Sequence, residues 1–392
     1  HSTALQDLFQ DAGMKLKVAH VTATFPPYWA GTGNVAYHNA RLLFERGHDV
    51  TVFTARTERS HELTHPFKVE YLPVVFSLGN APFTPSLVSR LRGFDLIHLH
   101  YPYIFGAELA LLAARLYNIP LVLTYHNKLQ ETHPVKQTLF NLYNTLVEPV
   151  LLREAKKVFG GTGGHLASLH PKLAASARVT ELSNGVDTAQ FKPQANGVRE
   201  ELGVSQSKPV ALFVGALDQA HRFKNVDGLL RAFANLTLDA ELWIMGDGDL
   251  RSSLETLARE LGLGNKVRFL GKRSPHELPP FYTAANVAVL PSTSVESFGL
   301  VLIEAMACAT PVIASALPGV KSLVREGVDG CLVPPSDLEA LTKGLAHMLS
   351  NPERSQKMGQ VGCEKVRRSY DWNVIGERLE TLYAEVIYEA RA

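Results

Sequence analysis

The sequence predicts an α/β protein built as two Rossmann-like, doubly wound domains, and three observations carry that prediction. Short β-branched runs alternate with helix-patterned segments throughout, a pattern suited to parallel sheets covered by helices on both faces. The alternation restarts midway, and each series opens on an apolar strand that runs into a glycine-containing loop. At 392 residues the chain is also too long for one core and about right for two.

In the first series the expected strands are Leu16–Thr22, Asp49–Thr54, Val69–Val74, Leu96–His100, Leu121–Tyr125, Lys157–Phe159 and Val179–Leu182. The second offers Val210–Val214, Glu241–Met245, Val267–Leu270, Val287–Leu290, Val312–Ala314 and Cys331–Val333. Between them, Asn-Gly and Lys-Pro punctuate the stretch Asn184–Pro193, which is read as the linker. The domains are therefore placed at 14–184 and 185–372, with a last helix over 373–392 and a leader or tag remnant over 1–13. Apolar residues Ile375, Leu379, Leu382 and Val386 form a stripe along that helix. In open α/β sheets ligands collect beyond the carboxyl ends of the strands, so two facing domains would enclose a cleft. Closure of that cleft is expected to hinge near Asn184–Val186, where Gly185 offers backbone freedom.

The 39 basic and 38 acidic residues nearly cancel, so no global field recruits nucleic acid. Three cysteines, Cys308, Cys331 and Cys363, read as reduced thiols of a cytoplasmic protein and not as a disulfide framework. No apolar run approaches the length that spans a bilayer. The segment Val135–Lys157 reads as one helix mixing Leu, Phe and Val with Lys136, Arg153, Lys156 and Lys157. Such a helix packs on its own sheet or lies on a membrane face as a peripheral contact.

The most informative stretch is Glu296–Ser315, ESFGLVLIEAMACATPVIAS. A strand precedes it, a Phe-Gly turn follows Glu296, and a helix is expected to start near Gly299 and stop before Pro311. The free N–H groups and positive dipole end of that helix make an anion site suited to phosphate. Glu304 is an acid embedded in an apolar run and needs a partner or a ligand. Lys224, with Arg222 just before it, follows the strand Val210–Val214 and the turn at Gly215, where two cations can neutralise a departing diphosphate. From charge alone, a solvated basic turn serves as well.

This stretch resembles the signature of the retaining, GT-B-fold glycosyltransferases of family four, also called group 1. The blocks Phe25–Val35, Arg46–Thr54, Thr124–His126, Ser183–Pro193, Phe213–Lys224 and Met245–Gly248 are similar to the family's other motifs, in the same order. The resemblance implies a sugar moved from a nucleoside diphosphate donor, UDP-, GDP- or ADP-linked, to an acceptor hydroxyl, with no metal cofactor. The acceptor would be a sugar, a lipid-linked molecule or a small molecule. By that likeness Glu304 binds the ribose, and the N–H groups of Phe298, Gly299 and Leu300 hold the diphosphate or the sugar hydroxyls. Lys224 and Arg222 stabilise the leaving phosphate, Glu296 positions the sugar, and His126 reaches it. The family usually has Arg directly after the glycine, where this chain has Ala216, and Asn225 stands where Gly often follows Lys. The last helix is expected, by resemblance, to cross back onto the first domain.

Gly31 and Gly33 fit a ligand-approaching loop and join Gly215 among the donor-binding positions, on a domain that also presents the acceptor. They do not form a dinucleotide fingerprint, because a third glycine and a ribose-binding acid are missing. His126 ends an apolar strand and is otherwise an ordinary structural histidine. Asp249 is read as the N-cap of a helix over Leu250–Leu261, not as half of a metal-binding Asp-x-Asp. His98 and His100 are read as alternating along a strand and not facing one way as helix ligands would, so no metal is expected. Two other readings share the fold: a nucleotide-sugar 2-epimerase, and a non-catalytic nucleotide-sugar-binding protein.

Overall fold

A computed structural model describes residues 15–27, 31–58, 60, 63–129, 134–195, 197–294 and 296–391. The chain divides into two units: one ends at Ser183 and resumes at Asn373, and the other spans Asn184–Trp372.

The first unit contains strands β1 (Lys17–Val21), β2 (Asp49–Ala55), β3 (Lys68–Leu72), β4 (Phe76–Leu78), β5 (Ala81–Phe83), β6 (Leu96–Tyr101), β7 (Leu121–Tyr125), β8 (Lys157–Gly160) and β9 (Val179–Glu181). Seven of them form one parallel sheet in the order β3-β2-β1-β6-β7-β8-β9. The remaining pair, β4 and β5, is a small antiparallel hairpin that the sequence reading did not include. Its turn, Gly79-Asn80, was the available signal, with Gly79 at φ 59°.

The second unit contains β10 (Val210–Val214), β11 (Glu241–Met245), β12 (Val267–Gly271), β13 (Val287–Leu290), β14 (Val312–Ser315) and β15 (Gly330–Val333). These run parallel in the order β12-β11-β10-β13-β14-β15. Both faces are buried, and the side chains show it by alternating. Val210 and Leu212 join the core with Trp243 and Phe298, whereas Ala211 and Phe213 join the one with Leu230 and Leu345. The strand order reverses direction between β1 and β6 in one sheet and between β10 and β13 in the other. Such switch points open a crevice at the strands' carboxyl ends, where ligands bind.

The single helix expected over Val135–Lys157 is broken. Helices Pro134–Leu146 and Glu148–Glu154 meet at Val147, and Lys157 already belongs to β8. Pro149 explains the restart, since it lacks an N–H and belongs in a helix's first turn.

Gly185, expected as a flexible joint, lies next to the unit boundary between Ser183 and Asn184 and also has a packing role. A Cβ there would lie 2.6 Å from the Trp372 ring, so the glycine is needed for close packing. The neighbouring Val186 N–H donates to the Tyr370 carbonyl at 2.8 Å, and the Trp372 N–H donates to the Val186 carbonyl at 3.2 Å. These bonds tie the unit's first residues to its last ones.

The final helix, Trp372–Arg391, buries Ile375, Leu379, Leu382 and Val386. From Asn373 onward it belongs to the first unit. Glu380 accepts from His48 Nε2 at 2.8 Å and from Arg46 at 3.3 Å. The His48 hydrogen bond, with burial opposing, holds the Glu380 carboxyl below the usual carboxylate range. Lys157 reaches Glu385 at 3.3 Å, closing the same face. Among the described residues no helix is long and apolar enough to cross a membrane.

Candidate active site

In the second unit the loops after β10 and β13 come together at the switch point. After Gly215 the chain makes a short 3-10 helix, Gln219–Lys224, capped by Asn225 in the left-handed region at φ 60°. The loop after β13 is latched to it: Thr293 donates its N–H to the Phe223 carbonyl at 2.7 Å, and Asn225 Nδ2 donates to the Pro291 carbonyl at 3.2 Å. Those bonds set Lys224 Nζ 3.5 Å from Glu296 Oε2, which also accepts from Ser292 Oγ at 3.2 Å. Both charged side chains are largely covered, at 15% and 11% exposure, so their field is weakly screened.

Gly299 ends the Glu296 loop at φ 84°, a conformation that glycine adopts without strain, and the helix Leu300–Ala307 begins there. The Phe298 side chain is buried beside Tyr370, leaving the main chain of Phe298, Gly299 and Leu300 as the open end of the helix. Glu304 sits on this helix and accepts from the Tyr282 hydroxyl at 2.8 Å. Burial pushes its carboxyl upward, against the opposing pull of Tyr282 and of the Lys224 charge. Lys224, Glu296 and Glu304 thus form one electrostatic cluster, a cation between two carboxylates at the carboxyl ends of the strands. Tyr282 and Ser292 belong to it too, and no sequence pattern pointed to either.

Arg222 is placed differently. Together with Asp218, His221, Asp227 and Arg231 it lines a cavity of about 380 Å³ that includes none of Lys224, Glu296 and Glu304. Gly215 carries the chain past Lys224; a Cβ there would lie 3.1 Å from Lys224 Cδ. Asp249 is not a helix cap. The helix Arg251–Glu260 has Leu250 at its N-cap, and Asp249 instead accepts from the Gln219 N–H at 3.1 Å. This cross-loop bond braces the Lys224 segment, a role open to an acid whose loop already has backbone ties to its neighbour.

In the first unit Gly31 and Gly33 lie in the first turn of a helix, Gly31–Glu45, and not in a loop. A Cβ on Gly33 would lie 2.7 Å from the Thr24 carbonyl oxygen, so internal packing alone accounts for that glycine. Gly31 has nothing within 4 Å of such a Cβ among the described residues. Gly33→Ala is therefore expected to lower the melting temperature, whereas Gly31→Ala is expected to melt with the parent. Loss of transfer in Gly31→Ala at an unchanged melting temperature would mark a ligand approach, and parental activity would remove Gly31 from the site.

His126 follows β7, and its N–H donates to the Tyr101 carbonyl at 3.0 Å. The reading of His98 and His100 as facing apart is corrected. Residues two apart on a strand share a face, and these two lie with His20 so that one nitrogen of each falls within 4.8 Å of the others. All three rings are buried. The cysteines are free: Cys308 and Cys363 are buried and Cys331 is partly covered.

Comparison with known proteins identifies the family and the fold. Residues 196–365 match the family described as glycosyl transferases group 1, and residues 29–190 match glycosyltransferase family 4. The chain is 31% identical to a D-inositol 3-phosphate glycosyltransferase of Corynebacterium aurimucosum, over 91% of this chain and 92% of that protein. It is also 31% identical to a phosphatidyl-myo-inositol mannosyltransferase of Mycobacterium leprae, over 80% of this chain and 81% of that one. Among solved structures, a sucrose-phosphate synthase from Thermosynechococcus elongatus superposes with a TM-score of 0.81 at 26% identity, over 96% of this chain and all of that one. The Anabaena protein HepE, solved with UDP, shares the fold with a TM-score of 0.78 at 22% identity, covering 94% of this chain and all of that one.

Proposed function

Because the chain belongs to the group 1 glycosyltransferases of family 4, we propose that its second unit binds the nucleoside diphosphate sugar whose glycosyl group it transfers. The enzyme is a retaining glycosyltransferase acting on an acceptor hydroxyl. One observation carries the donor assignment: the Lys224–Glu296 pair, with Glu304 beside it, at the switch point of the second sheet. In this reading Glu304 accepts from the ribose hydroxyls. The open N–H groups at Phe298, Gly299 and Leu300 hold the diphosphate or the sugar hydroxyls. Lys224 neutralises charge on the departing phosphate, and Glu296 positions the sugar. Arg222 is kept as a second, outer cation, and Gly215 as the turn that lets Lys224 in. The relatives named above are transferases or synthases, and the 2-epimerase alternative gains nothing from them. The donor is proposed to be UDP-, GDP- or ADP-linked, and the acceptor a sugar, a lipid-linked molecule or a small molecule.

The experiment is donor turnover by the full chain, read as nucleoside diphosphate released, with and without excess EDTA. We propose that no metal takes part, because a lysine and a helix N-terminus already supply positive potential to the phosphates. Turnover is expected to persist in chelator. Loss restored by magnesium or manganese would contradict this and bring Asp247 and Asp249 back as ligands.

A peripheral membrane contact at a cytoplasmic face is proposed from the helix Pro134–Leu146. Its Leu139, Leu142 and Leu146 are 55%, 55% and 60% exposed at helical spacing, and Arg153 and Lys156 are exposed in the segment that follows. Co-sedimentation with anionic vesicles is expected for the parent and reduced for Leu142→Gln. Equal recovery of both in the supernatant would remove the contact.

A further inference from the structure

Imidazoles gather at the switch point of the first sheet, on the strands that flank it and just beyond the next. His20 lies on β1, His98 and His100 on β6, and His126 directly after β7. His20 Nδ1 is 3.0 Å from His100 Nε2, and His100 Nδ1 is 3.3 Å from His126 Nε2. The His100 and His126 rings are nearly parallel, 22° apart with centroids at 5.5 Å. His98 stacks on His100 at 4.4 Å but bonds elsewhere: its Nε2 lies 2.6 Å from Thr124 Oγ1 and its Nδ1 2.5 Å from the Tyr383 hydroxyl. The hydrogen-bonded run is therefore His20, His100, His126.

Burial keeps these rings uncharged. It lowers His20 to about 3 and His126 to about 4, and holds His98 and His100 well below the usual imidazole range. A neutral imidazole carries one N–H and one lone pair. His100, bonded to an imidazole on each side, must donate to one neighbour and accept from the other. The whole run consequently points one way. The far nitrogen of His20, Nε2, is buried with no hydrogen-bond partner among the described residues. If the run pointed toward His20, that nitrogen would carry an N–H sealed away from any acceptor, the rarer kind of unsatisfied group. Pointed the other way, it holds only a lone pair, the His20 and His100 protons are each shared with the next ring, and the last proton falls on His126 Nδ1.

We propose that His20 and His100 are positioning residues that lock His126 in the tautomer with its proton on Nδ1, making it a hydrogen-bond donor to an oxygen of the bound substrate. The inference rests on the reading that His126 meets substrate. It deepens that reading by assigning the chemistry of the contact, with a sugar hydroxyl or phosphate oxygen accepting. His126 would stay neutral and would not act as a charged partner for the diphosphate. His98 stands outside the run and is held by Thr124 and Tyr383 instead.

The test is long-range nitrogen–proton NMR on the full chain with isotope-labelled histidine, without ligand and near neutral pH. His126 is expected to show a protonated Nδ1 and an unprotonated Nε2. The opposite tautomer, a charged ring, or zinc retained stoichiometrically by the purified protein would overturn the lock, since a metal would take the nitrogens the run uses. In His20→Phe, His126 is expected to show both tautomers and transfer to fall roughly tenfold, the scale of losing one outer hydrogen-bond partner. In a His126→Ala background the same substitution is expected to add nothing. Independent, additive losses would show that His20 acts through the fold alone and would overturn the proposal. Parental transfer by His126→Ala would overturn the site reading itself, and the ligand-free spectrum distinguishes that failure from a failure of the lock.

Discussion

Glu296→Gln is expected to lower the transfer rate by roughly 10²–10³-fold while the protein stays folded. The substitution keeps the shape of the side chain and its hydrogen bond from Ser292 but removes the negative charge. That charge lies beside Lys224 in a covered corner of the second unit, where it is weakly screened. It is therefore well placed to favour the positive character that builds on a sugar as its phosphate departs, an effect of about 3–4 kcal/mol in comparable sites. Circular dichroism and a melting curve should match the parent within a few degrees. Activity within a few-fold of the parent would take Glu296 out of the mechanism.

Lys224→Met is expected to cost about 10²-fold in turnover, with a smaller loss in donor affinity. Methionine retains most of the apolar stem that passes Gly215 but provides no cation for the departing phosphate. It also strands Glu296, whose carboxylate keeps only the Ser292 hydroxyl among the described residues. Because the two residues touch, the double variant Glu296→Gln, Lys224→Met should lose less than the product of the single losses. Steady-state kinetics on all four proteins measures this. Fully additive losses would mean that the ion pair seen in the free protein is not a working unit.

Much of the fold was legible because parallel strands buried on both faces are continuous apolar runs. Leu121–Tyr125, Val210–Val214, Glu241–Met245 and Val287–Leu290 fall where the pattern placed them. The hairpin Phe76–Leu78 with Ala81–Phe83 escaped because three-residue strands are too short to show a period. In the segment 135–157 the apolar pattern ran through Val147 and hid the break, although Pro149 was there to announce it. The packing need at Gly185 was not legible, because a glycine that makes room for Trp372 looks, in sequence, like one that frees the backbone.

The site was legible to a different degree. Lys224 and Glu296 are 72 positions apart, and only the pairing of β10 with β13 makes them neighbours. The motif resemblance supplied that juxtaposition; spacing could not. Tyr282 carried no signal at all. The histidine run had one clue in the sequence: His98 and His100 are two apart on a strand and must share a face. His20, 80 positions before His100, joins them only through the pairing of β1 with β6.

The most direct test of the central claim is a proton NMR time course of the full chain with UDP-, GDP- and ADP-linked sugars. Donor breakdown is followed without added acceptor, and the anomer first released is identified before it equilibrates. The account predicts that at least one donor is cleaved to nucleoside diphosphate, that the new sugar appears first with the donor's own anomeric configuration, and that Glu296→Gln slows this step. Cleavage with inverted configuration, or conversion of the intact donor to its 2-epimer without release of nucleoside diphosphate, would contradict it.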